Sequence, residues 1–180
     1  DGAFAEYVRV PAKVCRKMRN TTTYDQGASV DPIASAYRTV KASSITSKDA
    51  CVVYGPGPIG LYAVQLIRLR GAKKVICVGT DADKGRLELA KELGADVTIN
   101  ASFEDPVERV RQITAGRMAD YVQDCVGVPG VPIAAMNMLK KGGTYGVTGL
   151  YHSLPKVDLG RVVRSELRIY GTICYTRQEF

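Results

Sequence analysis

One histidine, His152, is present in 180 residues. With no ligand-type neighbour beside it, it reads as a loop or surface residue rather than a metal ligand or proton carrier. No Cys-x-x-Cys pair occurs among the five cysteines, Cys15, Cys51, Cys77, Cys125 and Cys174, which argues against a zinc knuckle and a disulfide scaffold. The last four sit inside apolar, strand-like runs and read as buried free thiols of a reducing cytosol, so the expected location is cytoplasmic. No apolar run approaches the roughly 20 residues that span a bilayer. The opening "DGAFAEYVRV" lacks the basic and apolar regions of a secretory signal, and its start at Asp1 rather than Met suggests a fragment or a processed chain. The formal charge is +7, yet basic residues are mixed with acids and show no aromatic interleaving, which argues against a nucleic-acid partner. A solvated basic surface that also suits an anionic cofactor fits better.

From Ala50 onward the pattern alternates. Apolar runs at 50–54, 74–78, 96–99, 119–125, 143–148 and 168–174 read as strands. Between them, 58–70, 84–93, 105–114, 130–139 and, less sharply, 158–166 read as helices. Ile59, Ala63, Leu66 and Ile67 share one face at helical spacing, and Gly71 is a plausible stop. Asp105 followed by Pro106 reads as an N-cap with proline in the first helical position. Strands alternating with helices imply parallel pairing through right-handed crossovers. The expected fold is α/β, a doubly wound six-stranded parallel sheet in the Rossmann order 3-2-1-4-5-6. Residues 1–48 stand outside the alternation: "AFAEYVRVPA" reads as a strand, "RKMRNTTTYDQGAS" as a loop, and "DPIASAYRTVKAS" as a short helix leading into the first strand. They look like the trailing edge of another domain, with 49–180 forming the dinucleotide-binding domain.

The chemical signal is "GPGPIG", between the first strand and the first helix. Gly55 permits the tight turn, Gly57 lets a pyrophosphate approach the backbone, and Gly60 lets the helix pack close to the sheet. Unpaired amides of the first helical turn, at Ile59 and Gly60, and the helix dipole then face the phosphates. Pro56 and Pro58 stiffen the loop. After the second strand the chain reads "CVGTDADKGR". Thr80, Asp81 and Arg86 are candidates for the adenosine end. Asp81 favours NAD by repelling a 2′-phosphate, whereas Gly79 and Thr80 with Lys84 and Arg86 permit NADP. Thr80 and Asp83 serve equally well as helix caps.

These residues resemble a known family, the zinc-dependent medium-chain dehydrogenases, which include alcohol, sorbitol and threonine dehydrogenases. "GAFAEYV", "GPGPIGLYAVQLIRLRGAKKVICVGTDADKGRLELAKELGAD", "DYVQDCVG", "LKKGGTYGVTGLY" and "VDLGRVVRSELRIYGTICYTRQEF" look like its successive blocks, closest to the polyol and threonine dehydrogenase branch. The resemblance implies a cofactor border at Cys125, Val126 and Gly127, and main-chain contacts to the nicotinamide amide at Thr148, Leu150, Thr172 and Cys174. Strand packing is the competing role for Cys125 and Cys174. It also implies that residues 1–48 are the incomplete C-terminal edge of a GroES-like catalytic domain, and that Asp31 is a ligand of a catalytic zinc; capping a helix that starts at Pro32 is the local alternative.

The upstream Cys and Gly-His-Glu segment of the family are absent, as are its structural-zinc cysteines and proton relay. The chain is therefore expected to be an inactive fragment of an NAD- or NADP-dependent oxidoreductase that takes a small alcohol or polyol. The long apolar "RIYGTICY" at a sheet edge suggests a homo-oligomer, a dimer or tetramer; cover by another domain is the alternative. Three other readings stay open: a zinc-free quinone-reductase-type member, an S-adenosylmethionine-dependent methyltransferase, and a non-catalytic interaction module.

Overall fold

The computed structural model describes residues 3–180; Asp1, and Gly2 with which the "GAFAEYV" block begins, lie outside the described residues. The chain divides into two compact units, one up to Val30 and one over Asp31–Phe180.

In the first unit the expected strand is absent. Phe4, Tyr7 and Val8 are exposed, and the segment joins no ladder. A strand is completed by its hydrogen-bonded neighbours, and here none is present, so β-prone composition alone leaves irregular backbone. A single 3-10 turn, Ala12–Val14, follows. Where a loop was expected, helix α1 forms over Tyr24–Ala28. Its start is a capping box: the Gln26 N–H donates to Thr23 Oγ1 at 3.2 Å and the Thr23 N–H to Gln26 Oε1 at 3.0 Å.

The second unit carries helix α2 (Val30–Ala42) and then alternates: β1 (Ala50–Tyr54), α3 (Pro58–Leu69), β2 (Lys74–Gly79), α4 (Lys84–Glu92), β3 (Val97–Asn100), α5 (Pro106–Ile113), β4 (Ala119–Asp124), α6 (Val131–Met138), β5 (Leu139–Val147), α7 (Leu159–Arg164) and β6 (Arg168–Gly171). The six strands form one sheet in the order β3-β2-β1-β4-β5-β6, with every pair parallel. This is the expected doubly wound arrangement. Asp105 caps α5 as foreseen, accepting the Val107 N–H at 2.9 Å.

Several boundaries differ from the sequence reading. Helix α2 starts at Val30, so Asp31 lies inside its first turn and does not cap it. Strand β5 starts at Leu139, four residues before the expected 143, because α6 runs straight into it: Leu139 is both the C-cap and the first strand residue. Strand β6 stops at Gly171. Cys174 therefore lies past the strand, exposed and at φ +50°, rather than packed within it. Of the four cysteines expected to be buried, Cys51 and Cys77 are; Cys125 is half-buried.

Period-2 alternation along the strands builds two cores. Val52, Ile76, Val78, Ile99 and Val122 point to one face, where Val110 of α5 and Ala135 and Met136 of α6 cover them. Cys51, Val53, Val75, Cys77 and Tyr121 point to the other, under Ala36 and Val40 of α2, Ala63, Val64 and Ile67 of α3, and Leu87 and Ala90 of α4. Both faces are thus closed by helices, and the strand ends are left to form the working surface.

At the N-terminal edge of the sheet, Asp120 ties three strands. It accepts the Ala50 N–H at 2.8 Å, a two-pronged contact from Arg117 at 3.1 and 2.7 Å, and the Lys140 ammonium at 2.6 Å. Burial opposes its ionisation, but the Lys140, Ala50 and Arg117 contacts outweigh that and hold its carboxyl below the usual range. Asp96 shifts the same way: burial is outweighed by the Val75 N–H and Arg68. A carboxyl with a depressed folded pKa contributes stability that is complete above its unfolded pKa of about 3.9 and is lost as pH falls through the folded value. The chain should therefore lose thermal stability below about pH 4. Asp120→Asn should be less stable at pH 7, with a shallower acid limb. Unfolding midpoints between pH 7 and pH 2 check this; equally steep limbs in variant and parent would remove Asp120 from the account.

Candidate dinucleotide-binding site

The GPGPIG loop joins β1 to α3 at the C-terminal edge of the sheet. Gly55 is at φ +97°, and its N–H donates to the Val78 carbonyl at 2.8 Å. A side chain there would also strike the Val126 methyl. Gly60 brings the helix close to the turn and to β1, since a Cβ on it would overlap the Gly55 carbonyl oxygen and lie 3.5 Å from a Val53 methyl. Gly57 differs from both. It sits at φ −70°, ψ 179°, ordinary extended backbone, as the N-cap of α3, with no side chain capping the helix. A Cβ built on it meets no atom within 4 Å. Open space therefore lies directly over the first turn of α3, whose leading N–H groups have no partner within the helix. Pro58 at N1 removes none of those bonds; Ile59 is half-buried and Gly60 buried. This open space fits a diphosphate: the helix start beside it offers amide donors and a positive end, and no side chain lies within 4 Å of the added Cβ.

The neighbouring strand ends abut in sheet order. Gly79 at the end of β2 faces the Pro56 ring, whose Cδ and Cγ would lie 3.0 Å from an added Cβ. Past it, Thr80 and Asp83 form a reciprocal cap on a 3-10 turn over Asp81–Asp83, with the Thr80 N–H donating to Asp83 at 3.0 Å. The Asp81 N–H donates to Ser102 Oγ at 3.0 Å, and Asn100 Nδ2 reaches the Asp81 carboxylate at 3.4 Å. Arg86 turns back to Asp83 at 3.2 Å. Burial opposes ionisation of Asp83, but Thr80 and Arg86 outweigh it and hold the carboxyl below the usual range. Thr80, Asp83 and Arg86 thus have local roles, while Asp81 keeps an exposed carboxylate beside the strand end.

On the other side of β1, Cys125 and Val126 leave β4. The Cys125 N–H donates to the Tyr54 carbonyl at 2.9 Å. Its side chain packs on the core side shared by α2, α3 and α4, and burial pushes its thiol pKa up. Val126 and Leu150 keep exposed apolar side chains. A Cβ on Gly127 would overlap the Leu150 backbone, so the loops after β4 and β5 touch.

Sequence reasoning missed what holds these loops. The Asp124 side chain, wholly buried, accepts the Val126 N–H at 2.8 Å, the Gly127 N–H at 3.1 Å and the Tyr145 hydroxyl at 2.9 Å, together with a short bond from the Tyr151 hydroxyl. Burial, then the Asp124 carboxylate, push the Tyr145 phenol far up. Thr39 on α2 is equally buried; its hydroxyl bonds those of Thr148, at 2.9 Å, and Thr172. Gln123 Nε2 also donates to Thr148 Oγ1 at 3.2 Å. The Thr148 and Thr172 hydroxyls are thereby occupied, and their N–H groups donate to the Asp124 and Val147 carbonyls at 2.9 and 3.0 Å, leaving their main-chain carbonyls as the groups that could face a ligand. No local pattern marks Thr39, whose partners are 109 and 133 residues away. Asp124 had one visible signal, an acid ending an otherwise buried strand.

Asp31 meets Tyr175, whose hydroxyl donates to its carboxylate at 2.6 Å; that bond pushes the Tyr175 phenol up to about 12. Among the described residues no group of three or more His, Cys, Asp or Glu could hold a metal ion. Asp31 alone does not make a zinc site, which takes about three protein ligands.

The sequence model of a family described as zinc-binding dehydrogenase matches residues 58–180. The chain is 32% identical to sorbitol dehydrogenase of Halalkalibacterium halodurans over 174 residues, 96% of this chain and 50% of that protein. It is 37% identical to L-threonine 3-dehydrogenase of Bacillus velezensis over 173 residues, 94% of this chain and 49% of that protein. Among solved structures, a Sinorhizobium meliloti 1021 protein assigned as a zinc-binding dehydrogenase and bound to NADP superposes with a TM-score of 0.91 at 31% identity, covering 99% of this chain and 53% of that one. The 2R,3R-butanediol dehydrogenase of Bacillus subtilis superposes with a TM-score of 0.81 at 27% identity, covering 91% and 46%. The chain spans about half the length of the curated relatives it matches.

Proposed function

This chain belongs to the zinc-binding dehydrogenase family, and we propose that it is the nicotinamide-dinucleotide-binding half of an oxidoreductase acting on a secondary alcohol or polyol. The observation that carries the reading is the open space at Gly57 before the helix N-terminus, set beside the β1/β4 boundary, where the strand order reverses: β2 and β3 follow on one side of β1, and β4, β5 and β6 on the other.

Gly55, Gly57, Pro58, Ile59 and Gly60 form the diphosphate grip. Thr80, Asp81 and Arg86 frame the adenosine. Cys125, Val126, Thr148, Leu150, Thr172 and Cys174 border the nicotinamide, the two threonines through main-chain atoms because their hydroxyls serve Thr39. The nicotinamide, when bound, supplies the hydride acceptor or donor. The chain's own part is to bind it, orient it and keep one ring face against the strand ends. Asp31 is a candidate for one oxygen ligand of a zinc in the whole protein. Residues up to 48 belong in this proposal to the edge of the catalytic domain, and 49–180 to the cofactor domain. A homo-oligomer, dimer or tetramer, fits the unpaired outer edge of β6 with its exposed Ile169. A cytoplasmic location, with neither nucleic acid nor membrane as partner, completes the reading; no helix among the described residues is long and apolar enough to cross a membrane.

Calorimetric titration with NADH and NADPH tests it. Both should bind, NADH about tenfold tighter, or about 1.4 kcal/mol, because the Asp81 carboxylate repels a 2′-phosphate. Asp81→Ser should close that gap. S-adenosylmethionine binding without either dinucleotide would replace this reading with a methyltransferase. Equal NADH and NADPH affinity in the parent would remove Asp81 as the discriminating residue.

A further inference from the structure

The loops after β4 and β5 each carry an exposed apolar side chain, Val126 and Leu150, and neither loop contains regular structure. Left to themselves such segments would sample many conformations. One residue joins them. Asp124 closes β4 with a side chain that is 0% exposed, and both of its carboxylate oxygens are used. Oδ1 takes the Val126 and Gly127 amides of the first loop. Oδ2 takes the hydroxyls of Tyr145, on β5, and Tyr151, which follows Leu150. Its main-chain carbonyl accepts the Thr148 N–H at 2.9 Å and the Gly149 N–H at 3.0 Å. Six donors from two loops and a strand therefore converge on one residue. Only an acceptor with about four side-chain lone-pair sites can take four donors at once, and a buried one left unmet would be costly.

We infer that Asp124 is a positioning residue that fixes the two loops bordering the nicotinamide half of the cofactor, without touching the cofactor. The inference rests on the dinucleotide reading and adds to it a division of labour. The GPGPIG turn and the end of β2 hold the ADP-ribose half and lie outside the Asp124 hydrogen bonds. The other half depends on loops that Asp124 assembles.

The test compares NADH with ADP-ribose, which lacks only the nicotinamide. In Asp124→Ala, NADH affinity should fall about 10- to 100-fold, while ADP-ribose affinity stays within about twofold of the parent. Asp124→Asn should restore most of the loss. Its oxygen can face the two amides and its NH2 the tyrosine oxygens, which can accept as well as donate. NADH affinity unchanged in Asp124→Ala overturns the inference, as does an equal fall for both ligands, or an Asn variant as poor as the Ala one. Should Asp124→Ala fail to fold, the Tyr145→Phe/Tyr151→Phe double variant keeps the carboxylate and its amide bonds and must show the same split; unchanged NADH affinity there overturns it too. A parent chain that binds neither ligand defeats the dinucleotide reading itself, a different result from a parent that binds both and a variant that does the same.

Discussion

Gly57→Asp should weaken dinucleotide binding about 100-fold or more while leaving the fold as stable as before. The backbone at Gly57 is at φ −70°, a conformation open to any residue, and an added Cβ meets nothing within 4 Å. Stability should therefore move by no more than about 0.5 kcal/mol, the range of an exposed substitution. Binding faces two new obstacles. The side chain occupies the space through which the diphosphate reaches the first-turn amides, and its carboxylate repels the phosphate charge. A loss of about 100-fold or more, near 2.8 kcal/mol, is expected. Thermal unfolding and NADH titration on the same sample separate the two effects. Parent-like affinity in a folded Gly57→Asp would mean that the diphosphate rests elsewhere.

Three residues on, the expectation reverses. Gly60→Ala should destabilise the whole domain. Its Cβ would fall on the Gly55 carbonyl oxygen, with the Gly55 carbonyl carbon at 3.0 Å and a Val53 methyl at 3.5 Å. The obstacle is main chain, so no rotamer change relieves it. Helix α3 would have to lift from β1 and disturb the packing of Ala63, Val64 and Ile67, all at 0% exposure. Overpacking a dense core costs about 1–3 kcal/mol, and a backbone collision belongs at the upper end. A fall in melting temperature of roughly 6–12 °C follows for about 3 kcal/mol in a chain of this size. NADH affinity would weaken as well, since the amides ride on the same helix turn. A melting temperature unchanged by Gly60→Ala would show that helix and strand are not in the contact described.

The two glycines look alike in the sequence, and the motif's spacing assigns them different roles; the structure sets main chain against Gly60 and open space at Gly57. Strand and helix alternation was readable for the same reason: periods of 2 and 3.6 are local and survive in one dimension. Boundaries were less readable where local signals conflict. Leu139 ends a helix and begins a strand with no intervening turn, so no punctuation marks the change. The segment "AFAEYVRV" has strand composition but no ladder, because pairing depends on residues far away in the chain. The box of Thr23 and Gln26 was present as T-x-x-Q and would have disclosed α1. Asp124 and Thr39 are the deeper omissions. A threonine on a helix carries no local mark and an acid at a strand end only its position, and their meaning comes from tyrosines, threonines and amides that only the folded sheet brings together. The convergence of donors on Asp124 is thus a property of the fold, whereas the glycine turn between β1 and α3 is a property of six consecutive residues.

The most direct measurement follows the backbone amides themselves. In 15N-labelled chain titrated with NAD, the resonances of Gly57, Ile59 and Gly60 should move early and far, in step with calorimetric saturation, while those at the opposite sheet edge around Asp49 and Lys140 stay still. Saturable binding that leaves these three amides unmoved would contradict the account, for the helix N-terminus would then not be where the cofactor is held.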